Sequence, residues 1–159
     1  MLSFRKLILG ILFIISACGF SPIYTNHHSA NLTGKISIQE PSTQNEFVFY
    51  SRLTDRFGDA SSKYILNYAI TTVKGDKAIN FDGTVHRVEI FGFVTFSLED
   101  AANEVQIFSD KEEMYLSYSN FGSIAAVLHA ERTTNKQLVV LLADKVADRI
   151  SLILVDQNS

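Results

Sequence analysis

The stretch VHRVEIFGFVTFSL, Val85–Leu98, decides the fold. Apolar and polar residues alternate along it with a period of two, the mark of a half-buried strand. Val88, Ile90, Val94, Phe96 and Leu98 share one face, while Phe91 and Phe93 share the other with Arg87, Glu89 and Thr95. Two aromatics on the wetter face need either a cover from the chain itself or a surface of another protein or lipid.

Working outward, Tyr64–Val73 is a second strand with Tyr64, Leu66, Tyr68 and Ile70 on one face and Asn67 and Thr71 on the other. Residues Gly75–Gly83 read as a polar loop, too long for a tight hairpin. On the other side, a turn over Asp100–Asn103 leads to a strand from Val105 to about Tyr118. Its apolar residues change parity between Ile107 and Met114, so a bulge is expected near Ser109–Glu112. Further upstream, Lys35–Gln39 alternates as a short strand that Pro41 ends. Thr43 with Glu46 three residues on is a capping-box pattern. Phe49, Leu53 and Phe57 then recur every four residues, and Gly58 supplies the stop. Strand, helix and strand at this spacing predict a crossover. From Ser123 the pattern turns helical almost to the end, with Gly122–Ser123 as the cap and Val139, Leu142, Ala143, Val146, Ile150 and Ile153 as the apolar stripe. The prediction is an α+β fold in the order β-α-β-β-β-α, with both helices on one face of a four-stranded mixed sheet. Phe91 and Phe93 then belong to the open face.

The N-terminus carries a different signal. Arg5 and Lys6 precede the uncharged run Leu7–Ile15, and small Ser16 and Ala17 follow, in the order of a secretory signal peptide. The run is about half the ~20 residues of a membrane-spanning helix. Ile15-Ser16-Ala17-Cys18 resembles the bacterial lipobox, and Cys18 is the chain's one cysteine. The resemblance implies a diacylglyceryl group on the Cys18 thiol, cleavage between Ala17 and Cys18, and acylation of the new amine. Two or more chains, at about 0.8 kcal/mol per buried methylene, give stable anchoring where one does not. An ordinary signal peptide or a short buried helix with an incidental cysteine is the plainer alternative. The expected division is residues 1–17 as signal peptide, 18–33 as lipidated tether and 34–159 as one α+β domain. Gly19 rather than Asp after the lipidated residue is compatible with transfer to the outer membrane.

The formal charge of −3 and the absence of a basic stripe argue against nucleic acid as a partner. Histidines 27, 28, 86 and 129 complete no zinc-protease spacing, and no nucleophile elbow or phosphate loop occurs. The expectation is a protein without catalytic residues, cofactor or metal; His27–His28 as a metal pair is the minor alternative. Lys74-Gly75-Asp76-Lys77 and Asp110-Lys111-Glu112-Glu113 read as solvated turns, although Lys74, Lys77 and Arg87 suit lipid phosphates.

Cys18-Gly19-Phe20-Ser21-Pro22-Ile23-Tyr24 resembles the mature N-terminus of the lipopolysaccharide-assembly lipoproteins of the LptE family, where Gly-Phe-x-Pro-Leu-Tyr follows the lipidated cysteine. Ile23 replaces the commoner Leu. The element order, Tyr118 through Ala130-Glu131-Arg132, and the Leu142–Val146 run agree with the resemblance more weakly. It implies a two-helix, four-strand sandwich seated as a plug in the outer-membrane barrel LptD, assisting the barrel's assembly and the passage of lipopolysaccharide to the surface. Cys18 is the residue carried over; Phe91, Phe93, Lys74, Lys77 and Arg87 are candidate contacts with partner or lipid. The rivals are an auxiliary lipoprotein of an ABC-type lipid transporter and, from another class, a lipid-anchored hydrolase.

Overall fold

A computed structural model of the chain describes residues 34–58, 63–79 and 85–156. Strand β1 (Ile36–Ile38) leads to helix α1 (Gln44–Phe57), then β2 (Tyr64–Ile79), β3 (Val85–Asp100), β4 (Val105–Ser119) and helix α2 (Ile124–Asp156). The sheet order is β1-β2-β3-β4; β1 and β2 are parallel, and the other two pairs are antiparallel. The α+β architecture and the crossover are as the sequence predicts.

Local chemistry sets the ends of α1. Thr43 Oγ1 accepts from Glu46 N at 3.2 Å, while the Glu46 carboxylate accepts from Thr43 N at 3.1 Å and from Ser42 N and Oγ at 2.7 Å. Those donors hold the Glu46 carboxyl below its ordinary range. At the other end Gly58, with φ 77°, turns the chain and donates to Thr54 O at 2.8 Å. At the start of α2, Ser123 Oγ accepts from Ala126 N at 3.3 Å.

One face of the sheet carries the core. Leu66, Val88, Ile90, Val94, Phe96 and Leu98 meet Phe49, Leu53 and Phe57 of α1 and Leu138, Leu142, Val146 and Ile150 of α2, all buried. Phe49 stacks on Tyr68 with ring centroids 4.8 Å apart. Gly92 lets α2 approach: a Cβ there would lie 2.8 Å from Leu142 Cδ1 and 3.0 Å from Leu138 Cδ2. The middle of α2 is tied on two sides. Asp144 accepts from Arg52 at 2.9 and 3.1 Å, and Arg56 pairs with Asp148. Toward β4, Lys145 donates to Glu112 at 3.0 Å and Arg149 to Asp110 at 3.1 Å.

Three local expectations are corrected. Strand β2 does not stop at Val73 but continues through Gly75 to Ile79, with register shifts on either side of Ala78. Gly75 is there to make room, since a Cβ would sit 3.0 Å from the Phe91 ring. The irregularity of β4 lies at Ile107, between Gln106 opposite Glu99 and Phe108 opposite Leu98, upstream of the expected Ser109–Glu112. Residues Asp110–Glu113 are not a solvated turn but regular strand, because α2 supplies partners for Asp110 and Glu112.

Candidate functional site

The outer face of the sheet, away from the helices, carries the candidate site. The register sets Val73, Phe91 and Tyr115 side by side across three strands, with Thr71, Phe93 and Glu113 in the next row. Val73 is 51% and Tyr115 61% exposed, which is high for large apolar side chains. The rings do not wave freely. Phe91 lies over Gly75 and has its centroid 5.8 Å from that of Tyr115, while Lys111 Nζ lies 4.9 Å from the centroid of Phe93. Phe91, Phe93, Glu113, Met114, Tyr115 and Lys145 line a groove of about 560 Å³ that runs over the β4 edge toward α2.

The other half of this face differs in chemistry. Gln39, Asn67, Thr95, Ser97, Gln106 and Ser109 line a shallower hollow of about 330 Å³, and Asn67 donates to Glu99 at 3.0 Å. Its lining amides and hydroxyls both donate and accept. The outer face is therefore half aromatic and half polar. Apart from it, Phe121 and Ile124 stand 77% and 83% exposed at the head of α2.

The candidate contacts do not form one cluster. Phe91 and Phe93 share the groove. Arg87 is exposed on the same strand. Lys74 lies across the sheet, opposite Ile90 of the core face, and pairs with Glu131 of α2, which also accepts from Tyr118 Oη at 3.3 Å. The pair raises the Lys74 ammonium and holds the Glu131 carboxyl low, and in both the direct hydrogen bond is the largest cause. Lys74 is thus an ion-paired cation whose side chain stays more than half exposed. Lys77 is placed in β2, but its side chain, like Ala17, Cys18, His27 and His28, lies outside the described residues.

Val73 and Gly75 adjoin Phe91 beside the groove and Tyr115 and Lys145 line it, without any of the four having been singled out from the sequence. Cross-strand pairing with Phe91 finds the first and third once the register is fixed, whereas nothing local marks Lys145, which comes from the distant helix. Glu89, placed by its parity on the wet face, is 9% exposed. His129 is exposed on α2, and among the described residues no three His, Cys, Asp or Glu side chains converge as metal ligands. No helix among the described residues is long and apolar enough to cross a membrane.

The fold defines a class: a four-stranded sheet with two helices on one face, shared with solved bacterial lipoproteins. Rare lipoprotein B from Shewanella oneidensis superposes with a TM-score of 0.62 at 16% identity, covering 79% of this chain and 98% of that one. A minor lipoprotein from Acinetobacter baumannii gives 0.60 at 20% identity, over 75% and 91% of the two chains. Lipoprotein B from Nitrosomonas europaea gives 0.64 at 13%, over 77% and 85%. At these identities the likeness is one of fold. No family model and no curated protein matches the sequence.

Proposed function

We propose that this chain is a lipid-anchored component of the outer-membrane lipopolysaccharide translocon, a non-enzymatic plug that assists assembly of an LptD-type barrel and helps lipopolysaccharide reach the surface. The observation that carries this reading is the string Cys18-Gly19-Phe20-Ser21-Pro22-Ile23-Tyr24 at the head of a domain with the fold of bacterial lipoproteins. Acyl chains on Cys18 hold the chain at the membrane, and 15 intervening residues, 19–33, separate them from the described domain.

The outer face supports a binding role for reasons of energetics. Association loses affinity to the ordering of flexible side chains, and rings already packed on neighbours escape most of that cost. Phe91 is pinned between Gly75 and Tyr115, so the aromatic half is set before any partner arrives. The polar half offers amide and hydroxyl groups to a barrel wall or a sugar. An obligate plug needs a large interface of mixed character, and one face with two chemistries is suited to it.

The experiment is recovery of the C-terminally tagged chain from outer membranes in mild detergent. A large heat-modifiable β-barrel at equal stoichiometry is the expected result, and the double variant Phe91→Ser/Phe93→Ser should lower its yield while the chain stays folded. Recovery of transporter subunits, or of no barrel at all, rejects the plug in favour of an auxiliary transport lipoprotein.

A further inference from the structure

Strand β4 closes one side of the sheet, and no strand of the described chain pairs with its outer edge. The hydrogen-bond ladder says which groups point there. Tyr64 N donates to Lys35 O, so even residues of β2 bond toward β1 and odd ones toward β3. Carried across the register, even residues of β4 from Phe108 to Tyr118 bond toward β3. The backbone groups of Ser109, Lys111, Glu113 and Ser117 therefore face outward. A side chain already reaches this edge: Lys145 Nζ donates to Glu113 O at 3.3 Å while it pairs with Glu112.

The edge also carries a charge pattern that is complementary to itself. Lys111 and Glu113 stand two apart on the outer face, 3.8 Å from each other, and Glu112 between them turns to the helix side. Lay an antiparallel copy of β4 along the edge with Glu112 opposite Glu112. Each Lys111 then meets the Glu113 of the other copy, twice over. Sliding by two residues in either direction sets Lys111 against Lys111 or Glu113 against Glu113. Like charges directly opposite are destabilising, and opposite charges stabilise the pair. The two Glu112 carboxylates at the centre each keep a Lys145. Ser109 of one copy would lie opposite Tyr115 of the other, which draws the aromatic groove up to the seam.

We propose that β4 is the pairing edge for a second copy of this chain, in the register that opposes Lys111 to Glu113, with Lys145 as a latch that leaves the Glu113 carbonyl before the strands join. A strand of unrelated sequence has no such fixed register here; this chain supplies both signs at the right spacing. The inference concerns the chain by itself and does not depend on the barrel reading.

The test uses the full chain in mild detergent, with sedimentation to read its oligomeric state and circular dichroism to confirm that each variant is folded. Lys111→Glu and Glu113→Lys should each weaken the dimer by about tenfold or more, since each turns two attractive pairs into two repulsive ones. The double reversal should restore it. Independently, Glu112→Cys should give a disulfide-linked dimer on oxidation, because directly opposed residues in a non-hydrogen-bonded pair lie close enough to bridge. The parental chain, with Cys18 as its one cysteine, sets the background. A parental chain that stays monomeric at all concentrations, a double reversal that fails to rescue, or cross-linking no better at position 112 than at 115 overturns the proposal.

Discussion

Tyr68 sits at the junction of sheet and α1 with its hydroxyl buried and without a hydrogen bond among the described residues. Burial is the main cause that pushes its ionisation up to about 12. Removing a buried hydroxyl that has no partner costs little, because the folded state already bears its desolvation. Tyr68→Phe should therefore stay within about 1 kcal/mol of the parent at neutral pH, measured by urea denaturation. The sign of the alkaline effect follows from linkage. The folded-state value lies above the ordinary one near 10, so the unfolded chain ionises first and the parent loses stability as pH rises from about 10 to 12. The Tyr68→Phe chain should lose less over that window, and equal loss in both would refute the assignment.

At the scale of elements, Gly92 shows how tightly β3 and α2 are set. Gly92→Ala places a methyl against Leu138 and Leu142, both fully buried, so relief requires the helix or two core side chains to move. The expected loss is about 1–3 kcal/mol, read as an earlier denaturation midpoint at unchanged slope. Much of this level is legible in the sequence where the cause is local. Thr43 and Glu46 mark one end of α1 and Gly58 the other, and Phe49, Leu53 and Phe57 give its buried face. The parity of Val85–Leu98 separates core from groove as well. The sequence reading fails where the cause is remote. Asp110–Glu113 resembles a turn because its partners, Lys145 and Arg149, come more than thirty residues later. Gly75 resembles a loop residue because the ring that needs its space belongs to the next strand. The groove was half visible for the same reason: Phe91 and Phe93 are local, whereas Tyr115 and Lys145 reach it through register and packing.

For the molecule as a whole, the proposed membrane anchor, Cys18, lies outside the described residues. Cys18→Ser should move the chain from the membrane pellet to the soluble fraction, and mass spectrometry should show loss of the acyl groups. A variant that stays membrane-bound without them would assign the attachment to protein contacts instead. The paired charges along α2 carry a consequence of their own. Asp144 and Asp148 face the arginines of α1, while Lys145 and Arg149, each one residue on, face the carboxylates of β4. One residue is about 100° of helix rotation. An apolar stripe on a 33-residue helix tolerates some rolling, yet a roll of one step here would set one row of charges against its like and leave the other row facing an alanine or an aliphatic residue. The two signs thus key the helix about its own axis, leaving hydrophobic burial to hold it down and charge to say which way round.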